Sequence, residues 1–392
     1  MRRREFLAAT VAASLGLVTA KPVRSTEQPL DELIAERMRA AGTAGMSLCA
    51  VRGDDTVLEM AYGSADIERQ IPMTPDTIQN IGSISKTITA TAAMQLVERG
   101  SIGLHDDVND ILPFSVRNPR FPDEPITTYH LLVHTSSLRD GPAYGESYTC
   151  GDSPVPLADW IRGYFVEGGA YYDARRNFLP RPPGEVHNYS NVAYGLLGYI
   201  VEHVSNQSFS DYCDAHVFEP LGMSDTGWHL KDIDVSKHAI PYEKVEGSPF
   251  RESLTVGERN AAGLNPYCRY SFANYPDGGL RTHVRDHAKF MSAYLREGDP
   301  ILKPTTVASM LQQHEIPRGS SESGHIQGLC WSSSARFQDK RLWGHSGGDP
   351  GISTVMVLEP QSRIGAVFFV TGPIDRSFID IVNRLLAIAD AA

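Results

Sequence analysis

The sequence predicts an α/β plus all-α fold: one antiparallel sheet formed by N- and C-terminal segments and flanked by helices, with an inserted, mainly helical domain. Strand patterns occur early, at residues 46–51 and 56–62, and return at residues 325–332, 341–345, 353–359 and 364–371. Between them the chain alternates helical patches, such as residues 194–204, with long loops. Strands from both ends of a compact chain bury their apolar faces most simply in one shared sheet.

The first and last helices follow from apolar periodicity. Residues 29–41 carry leucine, isoleucine and methionine at helical spacing, and Gly42 ends the run. Residues 378–389 show the same spacing close to the C-terminus. A third helix is predicted from Ser83 to about Arg99, ahead of Gly100. The sequence Arg52-Gly53-Asp54-Asp55 between the early strands is a hairpin-turn composition.

These elements define the predicted domains. Residues 21–102 and 292–392 form a discontinuous α/β domain, and residues 103–291 form the inserted, mainly helical one. Within the insert, residues 140–183 and 242–279 are rich in Gly, Pro, Asp, Tyr and Arg and are predicted to be loops. Because loops that long usually bind something, we place substrate selectivity there.

The first 20 residues are predicted to be an export signal. Arg2-Arg3-Arg4-Glu5-Phe6-Leu7 precedes an apolar run, and Val18-Thr19-Ala20 has the small residues of a cleavage site. The arginines followed by Phe6-Leu7 resemble the twin-arginine pattern, which predicts a periplasmic or secreted protein. An ordinary signal peptide or an uncleaved anchor is the alternative.

Net charge and the length of apolar runs limit the kinds of binding partner that the protein can have. The net charge is -11, which argues against a nucleic-acid surface, and no apolar run is long enough for a stable membrane span. Five cysteines leave at least one unpaired. Cys150 and Cys268 lie in predicted loops and can either pair in an oxidising compartment or stay free. The other three occur in apolar patterns and are predicted to be small core residues: Cys49, Cys213 and Cys330.

The candidate nucleophile is Ser83, at the start of the third helix. A spacing of three residues places Lys86 one turn along on the same face, close to the serine hydroxyl. A serine needs a neighbouring base, and free N–H groups at a helix start stabilise an oxyanion. Taken alone, the pair also fits an N-cap serine followed by a solvated lysine.

Two further motifs occur once each. Tyr189-Ser190-Asn191 offers a phenol that can relay a proton and an amide that can orient a carbonyl. His345-Ser346-Gly347-Gly348 follows a strand, and its glycines let a substrate backbone approach closely. Each also reads as an ordinary helix start or glycine-rich turn.

Ser-x-x-Lys, Tyr-x-Asn and His-x-Gly in this order resemble the serine hydrolases related to class C β-lactamases and penicillin-binding DD-peptidases. The resemblance implies that Ser83 is the acylated nucleophile, Lys86 its proton acceptor and Tyr189 a general base and acid. It makes the backbone N–H groups of Ser83 and Gly348 the oxyanion hole. Four residues would bind or orient substrate: Asn191, His345, Ser346 and Gly347.

The resemblance implies a hydrolase for small peptide, amide or ester substrates, with no metal or organic cofactor. Amide or peptide bonds, including those of D-amino-acid-containing peptides, are the first expectation. A carboxylesterase or a β-lactamase is the alternative within the superfamily. His345 stands where class C β-lactamases usually carry lysine, which makes strong β-lactamase activity less expected.

Two other classes remain as rivals. His283-Val284-Arg285-Asp286-His287 places two imidazoles on one helical face, as in a zinc hydrolase, but the inverted zinc motif needs glutamate where Asp286 stands. A scaffold that binds peptidoglycan or peptides without turnover is the second rival. It has no need for the trio of Ser83, Lys86 and Tyr189.

Overall fold

A computed structural model describes residues 28–244, 253–317, 326–333 and 335–392. The predicted export signal lies outside these residues. The helices are α1 Leu30–Ala41, α2 Ser85–Glu98, α3 Val108–Ile111, α4 Thr128–Leu132, α5 Pro142–Glu146, α6 Leu157–Phe165, α7 Asn191–Ser205, α8 Phe209–Cys213, α9 Glu219–Leu221, α10 Val284–Leu295, α11 Pro304–Met310 and α12 Ile379–Ala391. Short 3₁₀ turns occupy Gly82–Ile84, Leu230–Asp232, Val235–Lys237, Tyr275–Asp277 and Arg376–Phe378, and Asp214–Phe218 is a π-helical turn.

The strands are β1 Gly45–Arg52, β2 Asp55–Asp66, β3 Ile71–Pro72, β4 Gln79–Asn80, β5 Tyr148–Cys150, β6 Tyr242–Glu243, β7 Asn265–Pro266, β8 Tyr270–Phe272, β9 Arg281–Thr282, β10 Ile326–Gln327, β11 Ser332–Ser333, β12 Arg336–Phe337, β13 Lys340–Arg341, β14 Trp343–Asp349, β15 Ile352–Glu359 and β16 Ile364–Thr371. Eight of them form one sheet in the order β10-β11-β14-β15-β16-β1-β2-β3, with antiparallel pairing throughout. The predicted fold class is confirmed.

Both chain ends meet at the centre of this sheet. β1 pairs with β16 along its whole length, from Gly45 opposite Thr371 to Arg52 opposite Ile364. α1 and α12 cover one face of the sheet with apolar side chains such as Ile34. α10 packs against the other face, on β1 and β16. The terminal helices and central strands therefore lie close to where periodicity predicted them.

α2 is buried on almost every side, from Ser85 to Leu96. Its threonines remain compatible with burial because their hydroxyls donate to backbone carbonyls; Thr89 donates to Pro276 O at 2.6 Å and Thr91 to Thr87 O at 2.7 Å. α2 contacts α7 on one side, and the 3₁₀ turn before it lies against β14. The start of α2 is therefore held between the sheet and the helical region.

Some local predictions were wrong. Residues 140–183 were predicted to be a loop, but they contain α5, β5 and α6. The missed helix α6 buries residues at helical spacing, among them Leu157, Trp160 and Tyr164. The strand predicted over 325–332 is two short strands, β10 and β11, and α7 begins at Asn191 rather than Tyr194.

The five cysteines fall into the two groups that the sequence distinguished, one possible pair and three core residues. Cys150 and Cys268 form a disulfide with their Cα atoms 5.6 Å apart, which ties the end of β5 to the segment before β8. The three remaining cysteines are free and buried: Cys49, Cys213 and Cys330. Among the described residues no helix is both long and apolar enough to cross a bilayer.

Candidate active site

Ser83 and Lys86 lie together where α2 begins. Lys86 Nζ lies 3.1 Å from Ser83 Oγ. Ser83 sits in the 3₁₀ turn before the helix proper, so its partly exposed hydroxyl is held at the mouth of the helix while Lys86 is fully buried. The spacing read from the sequence therefore produces the expected contact.

The Lys86 ammonium is surrounded by acceptors. Besides Ser83 it donates to Asn191 Oδ1 and to the backbone oxygen of Asp277, each at 2.7 Å. Asp277 Oδ2 lies 3.4 Å away in a fully buried ion pair. Burial alone lowers the pKa of Lys86, but the attraction of Tyr189 and Asp277 outweighs it and raises the pKa above its usual range. These neighbours therefore favour the protonated form of Lys86.

Tyr189 is the third functional group of the site, beside Ser83 and Lys86. Lys86 Nζ lies 4.9 Å from the centroid of the tyrosine ring. Burial raises the pKa of Tyr189, while Lys86 and Ser83 act in the opposite direction by favouring the phenolate. The His134 ring packs on the same phenol at 4.4 Å between centroids, and His345 lies on another side at 6.3 Å. Loss of the Tyr189 proton therefore places the negative charge of the phenolate beside a cation.

Asn191 is oriented by a buried carboxylate. Its side-chain nitrogen donates to Asp140 Oδ2 at 2.9 Å, and its backbone N–H donates to Asp140 Oδ1 at 2.9 Å. Asp140 also accepts from Val192 N at the first turn of α7. Burial raises the pKa of Asp140 to about 6, and these N–H groups limit the rise. The amide oxygen of Asn191 is thereby directed at Lys86.

The third motif lies on β14 against the nucleophile. A Cβ on Gly347 would meet Ile81 O at 2.2 Å and come within 3.1 Å of Ser83 N, so only glycine permits this approach. A Cβ on Gly82 would lie 3.1 Å from Gly348 N. Gly348 itself is exposed and has open space around its Cβ position. The backbone at Gly82-Ser83 and the backbone at Gly347-Gly348 therefore lie directly against each other.

His345 and Ser346 lie on the same strand and are partly exposed. His345 Nδ1 is 2.7 Å from Ser346 O, and its ring approaches Tyr189 as described above. The structure therefore brings every predicted site residue into one region: Ser83, Lys86, Tyr189, Asn191, His345, Ser346, Gly347 and Gly348.

Sequence reasoning missed the second layer of the site. Three residues contact Lys86 or its partners: Asp277, Asp140 and Tyr144. None of them belongs to a motif that can be recognised in a single sequence. Asp277 precedes the Gly278-Gly279 pair, which was the one visible signal nearby. Asn274 Nδ2 donates to Asp277 Oδ1 at 2.9 Å and fixes the carboxylate further.

The histidine pair considered for zinc has other roles. His283 caps the start of α10, where its Nδ1 accepts from Asp286 N at 3.0 Å. His287 is fully buried, which lowers its pKa to about 3, and its Nε2 contacts Met356 Sδ at 3.1 Å. In the part of the chain that the structure describes, no three His, Cys, Asp or Glu side chains group as metal ligands do.

A partly exposed serine beside a buried lysine, facing a phenol and a glycine-rich strand edge, defines the class of β-lactamase-related serine hydrolases. The chain belongs to the Beta-lactamase family, whose model matches residues 30–389. The predicted resemblance is confirmed by this match.

Individual relatives are distant. Protein flp of Staphylococcus aureus (strain MRSA252) is 25% identical over 343 residues, which cover 87% of this chain and 62% of that protein. The chain thus spans less than two thirds of this relative's length. The octameric penicillin-binding protein homologue from Pyrococcus abyssi superimposes with a TM-score of 0.71 at 27% identity, covering 92% of this chain and 76% of the other. D-amino acid amidase from Ochrobactrum anthropi SV3, complexed with L-phenylalanine, gives 0.72 at 23% identity, over 92% and 97% of the two chains.

Proposed function

We propose that this protein is a serine hydrolase that cleaves amide or peptide bonds, including those next to D-amino acids, through an acyl-enzyme on Ser83. The observation that carries the proposal is the 3.1 Å contact between Lys86 Nζ and Ser83 Oγ beside Tyr189 and the Gly348 strand edge. A binding scaffold has no need for a buried lysine at a serine hydroxyl.

The first step is acylation. Ser83 Oγ attacks the substrate carbonyl carbon, and the hydroxyl proton passes to Tyr189, whose phenolate the neighbouring Lys86 stabilises. The oxygen of the tetrahedral intermediate receives hydrogen bonds from Ser83 N and Gly348 N. Tyr189 then returns the proton to the leaving nitrogen as the C–N bond breaks.

The second step releases the acyl group. Water attacks the ester carbonyl of acylated Ser83, one of its protons passes to Tyr189, and this proton returns to Ser83 Oγ as the ester bond breaks. In this assignment Lys86 acts as a fixed cation rather than as the proton acceptor expected from its spacing. The raised pKa of Lys86 supports this change, because a neutral amine has only two N–H donors for the surrounding oxygens and would leave the Asp277 carboxylate without a cation.

Two observations favour amides over β-lactams as substrates. Histidine rather than lysine stands at His345, so no permanent cation on β14 is offered to a substrate carboxylate. The fold shared with a D-amino acid amidase agrees with small amide substrates. A carboxylesterase remains the second candidate, since esters need the same nucleophile and a less demanding leaving group.

The decisive experiment is covalent labelling followed by mass spectrometry. A fluorophosphonate probe should add to Ser83 in the purified protein and not to a Ser83→Ala variant. Ser101→Ala, which alters an exposed serine just after α2, is the matched control and should label normally. Hydrolysis of nitrocefin, short acyl esters and D-amino-acid amides would then rank the substrates. An unlabelled but folded protein would refute the hydrolase proposal and leave the non-catalytic peptide-binding scaffold.

We also propose that residues 1–20 direct export, by the twin-arginine route, to the periplasm or beyond. The Arg3-Arg4 pair ahead of an apolar run and the Cys150–Cys268 disulfide both fit an oxidising compartment. Replacing Arg3 and Arg4 by lysine should retain the protein in the cytoplasm of its native host. Normal export of that variant would refute the route.

A further inference from the structure

The carboxylate of Asp277 is held in place by two neutral donors as well as by the lysine. Asn274 Nδ2 donates to Asp277 Oδ1 at 2.9 Å, and Tyr144 Oη donates to Asp277 Oδ2 at 2.9 Å. Lys86 Nζ lies 3.4 Å from the same Oδ2 atom. Both members of the ion pair are buried. The neutral donors fix the direction of the carboxylate, and the lysine balances its charge.

Asn274, one of these donors, is itself fixed by its neighbours. Its Oδ1 accepts from Trp160 Nε1 at 2.9 Å, and its Nδ2 also donates to the backbone oxygen of Asn191 at 2.9 Å. Both N–H groups of the amide are therefore used, which sets its orientation. A Cβ on Gly195 would lie 1.8 Å from Asn274 Oδ1, so a glycine on α7 leaves the room that this amide needs. A single buried side chain thus links Asp277 to the start of α7.

The 3₁₀ turn Tyr275–Asp277 is also tied to α2. Lys86 Nζ donates to the backbone oxygen of Asp277 at 2.7 Å, and Leu280 N, just after the turn, donates to Ser85 Oγ at 3.1 Å. The turn contacts both α2 and α7. Asp277 therefore contacts the lysine through its backbone and its side chain from a position that two helices determine.

This arrangement acts on the charge of Lys86. Burial acts to lower the pKa of the lysine, and Tyr189 and Asp277 raise it above its usual range. A neutral lysine would leave the Asp277 carboxylate buried without a cation, which is strongly unfavourable. The titratable groups that face Lys86 come from several segments of the chain: Tyr189, Asp277, Asp140, Tyr194, Cys330 and Asp349. Asp277 is the member of this set that forms an ion pair with the ammonium, at 3.4 Å.

We propose that Asp277 is a positioning residue of the hydrolase: from a turn fixed between α2 and α7 it holds Lys86 as a cation at Ser83, and it thereby assigns the proton-acceptor role to Tyr189. The inference rests on the proposed function and deepens it, because the Ser83–Lys86 spacing alone would make the lysine the acceptor. Asp277 acts through the lysine and takes no proton in either step of the reaction.

The first test is the pH dependence of kcat/KM for D-alanine p-nitroanilide. Asp277→Asn keeps the size of the side chain and removes its charge, and loss of an anion at this distance lowers the pKa of a lysine by about 1–3 units. The wild type should keep its kcat/KM up to about pH 10, and the variant should lose it about 1–3 pH units earlier. Asp123→Asn, which changes an exposed carboxyl, should behave as the wild type. A variant that is slower at every pH with an unmoved alkaline limb would show a merely structural role and overturn the proposal.

A double-variant comparison tests the assignment of the proton acceptor. In Asp277→Asn at about pH 9–10 the neutral lysine can accept the serine proton, so adding Tyr189→Phe should reduce kcat at least roughly tenfold less than it does in the wild type. Tyr144→Phe is the matched control, because it removes one hydrogen bond to Asp277 and keeps the charge. In that background Tyr189→Phe should cost as much as in the wild type. An equal cost in the Asp277→Asn background would contradict the assignment. Asp277→Ser, which is smaller and also neutral, replaces Asp277→Asn in both tests if the asparagine variant does not fold.

A titration that needs no turnover separates this inference from the proposed function. NMR of isotope-labelled lysine side chains follows Lys86 directly in Ser83→Ala, and the resonance missing from Ser83→Ala/Lys86→Arg identifies it. Lys86 should titrate about 1–3 pH units lower in Ser83→Ala/Asp277→Asn than in Ser83→Ala. If Ser83 resists the fluorophosphonate while this shift appears, the hydrolase proposal fails and the control of the lysine charge by Asp277 stands. If labelling succeeds while Lys86 titrates alike in both proteins, only the role of Asp277 fails.

Discussion

The Asp277 carboxylate lies 3.4 Å from the Lys86 ammonium, and both side chains are fully buried. The pair stands directly behind the serine hydroxyl, with the backbone oxygen of Asp277 as a further acceptor at 2.7 Å. A buried ion pair of this kind does little for net stability, but removing one partner leaves an uncompensated charge. We therefore expect stability and activity to depend on this pair in different ways.

Lys86→Met should abolish activity and destabilise the fold. We expect a loss of about 3–5 kcal/mol in the free energy of unfolding, because the buried Asp277 carboxylate loses its cation and keeps only the hydrogen bonds from Tyr144 and Asn274. The double variant Lys86→Met/Asp277→Asn should recover much of that stability, since no net charge remains buried. Urea denaturation measures the stability, and amide hydrolysis should stay absent in both variants. Equal stability of the single and double variants would contradict the ion pair.

Ser83→Ala should remove turnover without unfolding the protein. Loss of a nucleophile removes nearly all catalysis, so we expect a decrease in kcat of about 10⁴-fold or more. The serine is partly exposed at the start of α2, and its substitution creates no buried vacancy. Circular dichroism should match the wild type. Full activity of this variant would rule out the acyl-enzyme.

Tyr189→Phe tests the proton relay separately from the nucleophile. The ring still packs against His134, so the fold should persist, while the proton acceptor is lost. We expect kcat to fall about 10²–10⁴-fold with a smaller change in KM. Stopped-flow labelling of Ser83 by a fluorophosphonate should slow in parallel. A harmless substitution would shift the proton-acceptor role back to Lys86, as the sequence first indicated.

Asp349 should make stability depend on pH. Burial raises the pKa of this carboxyl to about 7, whereas an unfolded aspartate titrates at about 3.9. Between these values the folded state holds a proton that the unfolded state releases, so the free energy of unfolding falls as pH rises from about 4 to about 7. Asp349→Asn should therefore stabilise the protein by about 1–3 kcal/mol at about pH 8 and change it little at about pH 4.

Denaturant curves at both pH values give this difference, and Asp123→Asn is the control for loss of a carboxyl. A gain of the same size at both pH values would show that Asp349 keeps an ordinary pKa in the folded protein.

The Cys150–Cys268 disulfide should stabilise the segments that carry β5 and β8. It closes a separation of 118 residues, and it joins the end of β5, which begins with Tyr148, to the segment before β8. Reduction should lower the free energy of unfolding by about 2–4 kcal/mol. Thermal unfolding with and without reductant measures this. The double variant Cys150→Ala/Cys268→Ala should already show the lower stability and should not respond to reductant.

The local sequence pattern was sufficient to predict the helices and strands that bury one face of regularly spaced apolar residues. α1, β1, β15, β16 and α12 were predicted within about three residues, because apolar periodicity and turn residues specify them directly. α6 was missed because its flanks are rich in glycine, proline and aspartate. The division into an α/β domain and an inserted helical domain stays a prediction.

What the sequence by itself determined was the chemistry available: a serine and a lysine one turn apart, a phenol with an amide and a strand ending in glycines. The spacing within each motif carries this information, because local backbone conformation alone brings the residues of one motif together. Only the tertiary structure decided the ionisation of these groups. Asp277 lies 191 residues from Lys86 in sequence, and its carboxylate reaches the lysine only after the sheet and the helical region pack together. Burial and charge are properties of that assembled environment, so no local pattern could reveal them.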